Sequence, residues 1–364
     1  MLDPTAAQLA RSQRFGLILA LLACAACRRE AQPEKRATPA KLPSTSSSLP
    51  DVPAVEPAPA QTWQDICRSV AQADFPASDR PSAEQKASIK LGDSKRYYYG
   101  IGVPSDYAKA RAAAFAELDA AFPGAFLKDT ILTMIYANGL GVARNTNLAT
   151  KLACDEGGSD DEMASRIQRL QQLSLGPDGP PFDVCQDASS GMMTGACEAL
   201  EEEKKAPSRG RAIMHVTAGW PLVQKQALSK LQRVADAYWS AHATHEIDTS
   251  SLDSEGWIAH ALAEQQEAFA RDLERFASAP RVGDAESYAR ADAELNRVYK
   301  QTLATDWQGT SIEVAGIRAT EKRWLGYRDA WVELGRVRYP DTKPEAWKTW
   351  LSEERARVLE AIGR

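Results

Sequence analysis

The sequence predicts an all-α protein, in which a region of helical-hairpin repeats precedes a disulfide-stapled antiparallel helical domain. Three observations carry that prediction. From residue 61 onward apolar residues recur at three- and four-residue intervals, with hardly any strand-like alternation. A Gly-x-Gly-Val turn, at Gly100 to Val103 and again at Gly139 to Val142, returns after about 40 residues, the period of stacked helical hairpins. Four cysteines, Cys67, Cys154, Cys185 and Cys197, follow an export-type leader, and an even number in an oxidising compartment points to disulfides.

Residues 1–27 form that leader. Arg11 and Arg14 precede "FGLILALLACAAC", an apolar run too short to span a bilayer and laid out as a secretory signal. Its end resembles a bacterial lipoprotein signal, because Leu21 and Ala23 stand three and one residues before Cys24. The resemblance implies lipidation of Cys24, with Cys27 as the alternative, and an ordinary cleaved signal as the competing reading. It also implies a periplasm-facing, membrane-anchored lipoprotein of a Gram-negative bacterium. Several acyl chains, at about 0.8 kcal/mol per buried methylene, hold a protein stably at a membrane. Residues 28–60 are rich in Pro, Ser and Ala with almost no large apolar side chain, so they read as a disordered tether.

Residues 61–175 carry the repeats. Aligning Gly100 with Gly139 brings Gly102 onto Gly141, Asp106 onto Asn145 and Ala110 onto Ala149. The glycines permit a tight interhelical turn, and Asp106 or Asn145 can cap the second helix. These units resemble SEL-type repeats, relatives of the tetratricopeptide hairpin. No third copy is legible, so the array needs flanking helices to close it. Gly-x-Gly is not a nucleotide loop here, since no strand precedes it and the third glycine is missing.

For the cysteines, three pairings are open. Cys185 with Cys197 is favoured, as a short loop worth about 3 kcal/mol in the chain-entropy account, and Cys67 with Cys154 follows by elimination. A zinc site competes, but no cysteine pair shows the close spacing of zinc motifs.

"SLGPDGPPFD", Ser174 to Asp183, breaks the helical pattern and opens the region 176–364. One stripe then runs through Leu228, Leu231, Ala235, Tyr238 and His242, and another through Ile258, Leu262, Phe269, Leu273 and Phe276. Leu295, Tyr299 and Leu303 form a third. Gly309, Thr310 and Ser311 offer a break and a cap before the last stripe, Val314, Ile317, Trp324, Tyr327, Trp331 and Leu334. Two amphipathic helices with a short linker are expected to pack as an antiparallel hairpin. Trp324, Tyr327 and Trp331, spaced i, i+3 and i+7, are then core, with their polar edges finding hydrogen-bond partners.

Asp292, Leu295, Asn296 and Tyr299, followed by Arg318, Trp324, Tyr327, Arg328 and Asp329, resemble the "D-x-x-L-N-x-x-Y … R-x-x-x-x-x-W-x-x-Y-R-D" pattern of the LprI-type lysozyme-inhibitor domain. "FDVCQDASSGMMTGAC" is similar to the cysteine-bearing start of that domain, displaced by a long helical insertion; no cysteine follows Asp329, where many members have one. The resemblance implies a small exported helical domain that binds lysozyme and blocks it. On the residues themselves, Asn296 is expected to bond backbone across the hairpin and Arg328 to pair with Asp292.

The chain of 364 residues carries 44 basic and 49 acidic side chains, a formal net charge of −5, which argues against a general nucleic-acid binder. Only His215, His242, His245 and His260 are available as imidazoles. His242 and His245 are three apart, but "HATHE" reverses the order of a zinc hydrolase motif, so they read as solvated or capping residues rather than metal ligands. No nucleophile elbow, phosphate loop or calcium loop is present. Neither a catalytic residue nor a cofactor is expected. The function expected is binding of a protein partner, with lysozyme as the family's example, and the rival is an envelope scaffold that uses its repeats.

Overall fold

The computed structural model describes residues 61–120, 130–176, 180–277, 279–280 and 282–363. The leader, the tether and both candidate lipidation sites, Cys24 and Cys27, lie outside them. Every regular element among the described residues is helical, and none is long and apolar enough to cross a membrane.

The repeat region opens with α1 (Trp63–Val70), capped by Thr62 in a reciprocal box with Asp65, and α2 (Ala83–Ser88). Two hairpins follow: α3 (Ser94–Tyr99) with α4 (Tyr107–Asp119), and α5 (Thr130–Asn138) with α6 (Thr146–Glu156). Their turns are built alike. Gly100 and Gly139 take φ of +71° and +67°, and a Cβ on Gly100 would sit 2.8 Å from the Ser105 hydroxyl. Asp106 then accepts from the Lys109 amide and Asn145 from the Leu148 amide, each at 3.0 Å, starting the second helix of each pair. α7 (Asp160–Leu175) packs on α6, and α1 packs on both.

The first core holds Phe115, Leu132, Ile135, Leu152 and Leu170, and it extends past residue 175 to Phe182, Val184 and Met193. Asn138 grips Phe182 through both backbone groups, donating to its carbonyl at 2.8 Å and accepting from its amide at 2.7 Å. Both disulfides belong here. Cys67–Cys154 ties α1 to α6, and Cys185–Cys197 ties a 3-10 turn to α8 (Gly191–Thr217).

Helix α8 leaves this core and pairs along α10 (Ser254–Arg275). The second core is then built from α9 (Leu222–His245), α10, α12 (Val314–Arg338) and α13 (Pro344–Ala361), with α11 (Tyr288–Ala304) lying on α13. The stripe on α9 is buried throughout, His242 included, while Ile258 and Leu262 on α10 are half-buried. At the centre Trp331 stacks on Trp347 with ring centroids 6.1 Å apart, and Phe276 meets Trp347 edge-on at 5.2 Å.

Three local expectations are corrected. α11 and α12 do not form a hairpin. α11 packs on α13 and α12 on α9, because the linker from Thr305 to Glu313 is long enough to carry the chain away and α13 supplies the apolar face that α11 needs. Neither Thr310 nor Ser311 caps α12: Ser311 bonds Asp248 and Thr249, and Glu313 holds the cap position without a side-chain bond. The indole N–H groups of Trp239, Trp331, Trp347 and Trp350 make no hydrogen bond of ordinary geometry. Each indole buries about 150–250 Å² of surface, worth more than the loss of one bond.

Candidate functional site

Helices α11 and α12 both lean on α13, and their separation leaves a surface groove of about 350 Å³ between them. The α11 wall is Asp292, Asn296 and Tyr299, residues one turn apart on one face; the α12 wall is Arg318, Glu321, Lys322 and Arg328. Leu295 and Trp324 form the floor, 4 % and 2 % exposed. Residues from two separate stretches of sequence thus meet around one opening. Tyr327 and Asp329 do not line it: Tyr327 turns inward and stacks on Tyr238 at 5.2 Å, and Asp329 pairs with Arg328.

The polar contacts differ from those expected. Asn296 donates to the Asp292 carbonyl at 2.7 Å and to its carboxylate at 3.1 Å, so it stays within its own helix and braces the wall. Arg328 donates to Asp329 at 3.1 Å and lies 5.5 Å over the Trp324 ring, and it forms no ion pair with Asp292 although both line the groove. Arg318 and Lys322 form no ion pair among the described residues, and both are exposed. With Leu325, 40 % exposed, they make an exposed ridge along α12 that carries a cation on two successive turns.

Glu321 stands one residue from Lys322 and leads inward to a buried network. It accepts from Arg355 Nε at 2.9 Å. The same guanidinium donates through Nη1 and Nη2 to Glu246 at 2.9 and 2.6 Å, and both of those side chains are wholly buried. The Nδ1–H of His242 donates to Glu246 at 2.8 Å. Burial alone would raise the Glu246 pKa, but Arg355 and His242 outweigh it and hold the carboxyl below its usual range. Glu321 has Arg355 as its one strong donor, and there burial prevails and raises the pKa. Burial likewise pushes the Tyr238 phenol up to about 12.

His242 is therefore neither solvated nor a cap; it is 8 % exposed because Tyr238 and His242 share the inward face of α9 with Glu246. Among the described residues no three His, Cys, Asp or Glu side chains stand close enough to hold a metal ion. Sequence reasoning missed Arg355, Glu246, Glu321 and Lys322. A signal for the first existed: Arg355 falls between Leu351 and Leu359 at four-residue steps, a charge on an apolar stripe. The chain matches no family model, no curated protein and no solved structure, so the groove's own geometry carries the functional reading.

Proposed function

We propose that this is an exported, lipid-anchored protein, facing the periplasm of a Gram-negative bacterium, which binds a protein partner through the groove between α11 and α12 and blocks it without chemistry. Lysozyme is the partner proposed. The observation that carries the reading is that seven of the nine residues resembling the LprI-type pattern, all but Tyr327 and Asp329 and drawn from two helices that do not pack together, surround one opening, where Arg318 and the neighbouring Lys322 form no ion pair among the described residues. A core-only role for the pattern needs Leu295 and Trp324 but gives no reason for Arg318, Asn296 and Arg328 to share one rim.

Lysozyme-type glycoside hydrolases flank their cleft with two carboxylates. Arg318 and Lys322, standing on one ridge of α12, have the sign and spacing to meet that pair, and neither has to leave an existing ion pair to do so. The test is inhibition of cell-wall clearing by lysozyme with the lipid-free protein present. Inhibition at micromolar concentration, lost in Arg318→Glu/Lys322→Glu, is expected; unimpaired clearing removes the proposal.

A second reading, an envelope scaffold, is favoured by one observation. The repeats carry a groove of about 400 Å³ lined by Tyr98, Tyr107 and Arg144, amphipathic side chains suited to a protein partner. Crosslinking in the envelope separates the readings, because Tyr107→Ala/Arg144→Glu abolishes the adduct only under the scaffold reading.

A further inference from the structure

On the far side of the Arg355 network from the groove lies a cavity of about 560 Å³, a size that suits a small ligand. One wall is a single face of α10, bearing Trp257, His260 and Glu264 with Gln265; the end of α9 and the last turn of α13 complete it. Two side chains offer this cavity groups that the fold leaves uncommitted. Trp257 is 50 % exposed, the only tryptophan among the most exposed large apolar side chains of the described residues, and it lines the cavity. His242 is nine-tenths buried and lines the same cavity. Its Nδ1 is committed to Glu246, while its Nε2 has no hydrogen-bond partner among the described residues.

A buried imidazole locked at one nitrogen by a carboxylate, which is itself locked by Arg355, is a preorganised hydrogen-bonding group. Beside it stand the planar polar side chains Gln265, Asp248 and the pair His260 and Glu264, 3.5 Å apart, with the apolar Val358 and Ile362. An aromatic face with planar hydrogen-bonding groups around it matches a ligand that is apolar on one face and hydroxylated at its edge. That is the chemistry of a pyranose ring, whose C–H face stacks on an aromatic ring while its hydroxyls bond carboxylate, amide and imidazole. Glu246 adds no free charge, because Arg355 and His242 already engage both of its oxygens.

We propose that the cavity bounded by Trp257 and His242 is a saccharide-binding site, with the Trp257 indole as the stacking surface and His242 Nε2 as a hydrogen-bonding group for a ring hydroxyl. This site is separate from the groove between α11 and α12, and it stands whether or not lysozyme binds there.

The test is a tryptophan-fluorescence titration of the lipid-free protein with chitotriose and, separately, with cellotriose; the first carries N-acetyl groups and the second only hydroxyls. Saturable quenching by at least one of them, with a dissociation constant of about 1 mM or tighter, is expected, and the arm that binds identifies the sugar type. Trp257→Ala, at an exposed position, is expected to remove the quenching while leaving the thermal midpoint in place. In the wild type the ring-proton resonances of His242 are expected to shift on saccharide addition. Absence of quenching by both saccharides, or quenching that survives in Trp257→Ala, overturns the assignment. So does binding of N-acetyl-lysine methyl ester in the absence of saccharide binding, since that would make the cavity a cation site.

Discussion

Asp272, on α10, has a side chain only 25 % exposed, and burial raises its pKa to about 6 despite the nearby Arg275 at 3.0 Å. A raised carboxyl binds its proton more tightly in the folded state, so the stability it contributes is complete below about pH 4 and is lost as the pH climbs through about 6. Asp272→Asn is therefore expected to stabilise the protein by about 1–3 kcal/mol at pH 8 and to change little at pH 4. Urea unfolding at the two pH values checks this, and an equal effect at both contradicts it. Arg355 is the opposite case, a charge whose burial is sustained by partners. Removing it in Arg355→Ala strands Glu246 in the interior, which is expected to cost about 3–5 kcal/mol. The cost should fall when Glu246→Gln is added, because the stranded charge then goes too; a double variant no more stable than the single one would show that packing, not charge, is at stake.

Helix pairs are set by what their surfaces allow to approach. α8 and α10 cross where Gly195 faces Asp253 and Gly256, and a Cβ on Gly195 would fall 2.7 Å from the Asp253 carbonyl oxygen. Gly195→Ala should thus lower stability by about 1–3 kcal/mol although alanine is the better helix former. Gly326, in α12 with open space around it, should show the reverse sign, a gain of about 0.5–1 kcal/mol. Melting temperatures of the two variants decide it, and a loss at both positions would mean that crowding does not explain the first. The same distinction accounts for what the sequence made legible. The stripe Ile317, Trp324, Tyr327 and Trp331 was readable because period alone turns those residues inward, and Asp106 and Asn145 announced the helices they cap. Period says nothing about which helix lies opposite. The partnership of α11 with α13, and hence the groove, depends on where a nine-residue linker sets down α12. Arg355 was hidden for a related reason, since "SEERARVLE" has the composition of a solvated surface and only its register against Leu351 and Leu359 marks one charge as internal.

Across the whole molecule the two cores are held differently. The first is small-residue-rich and closed by both disulfides; Cys67–Cys154 spans 87 residues, worth about 4–5 kcal/mol in the chain-entropy account. The second holds no disulfide among the described residues and relies on interlocked aromatic rings. That rigid base positions α11 and α12 on α13, fixes the width of the groove between them and leaves Arg318 and Lys322 outward. The central claim is that a protein partner is recognised at this groove, and calorimetric titration of the lipid-free protein against lysozyme tests it most directly. A saturable 1:1 isotherm with micromolar or tighter affinity is expected, weakened by about tenfold or more in Arg318→Glu/Lys322→Glu. No heat of binding, or an isotherm that the double variant leaves unchanged, would contradict it.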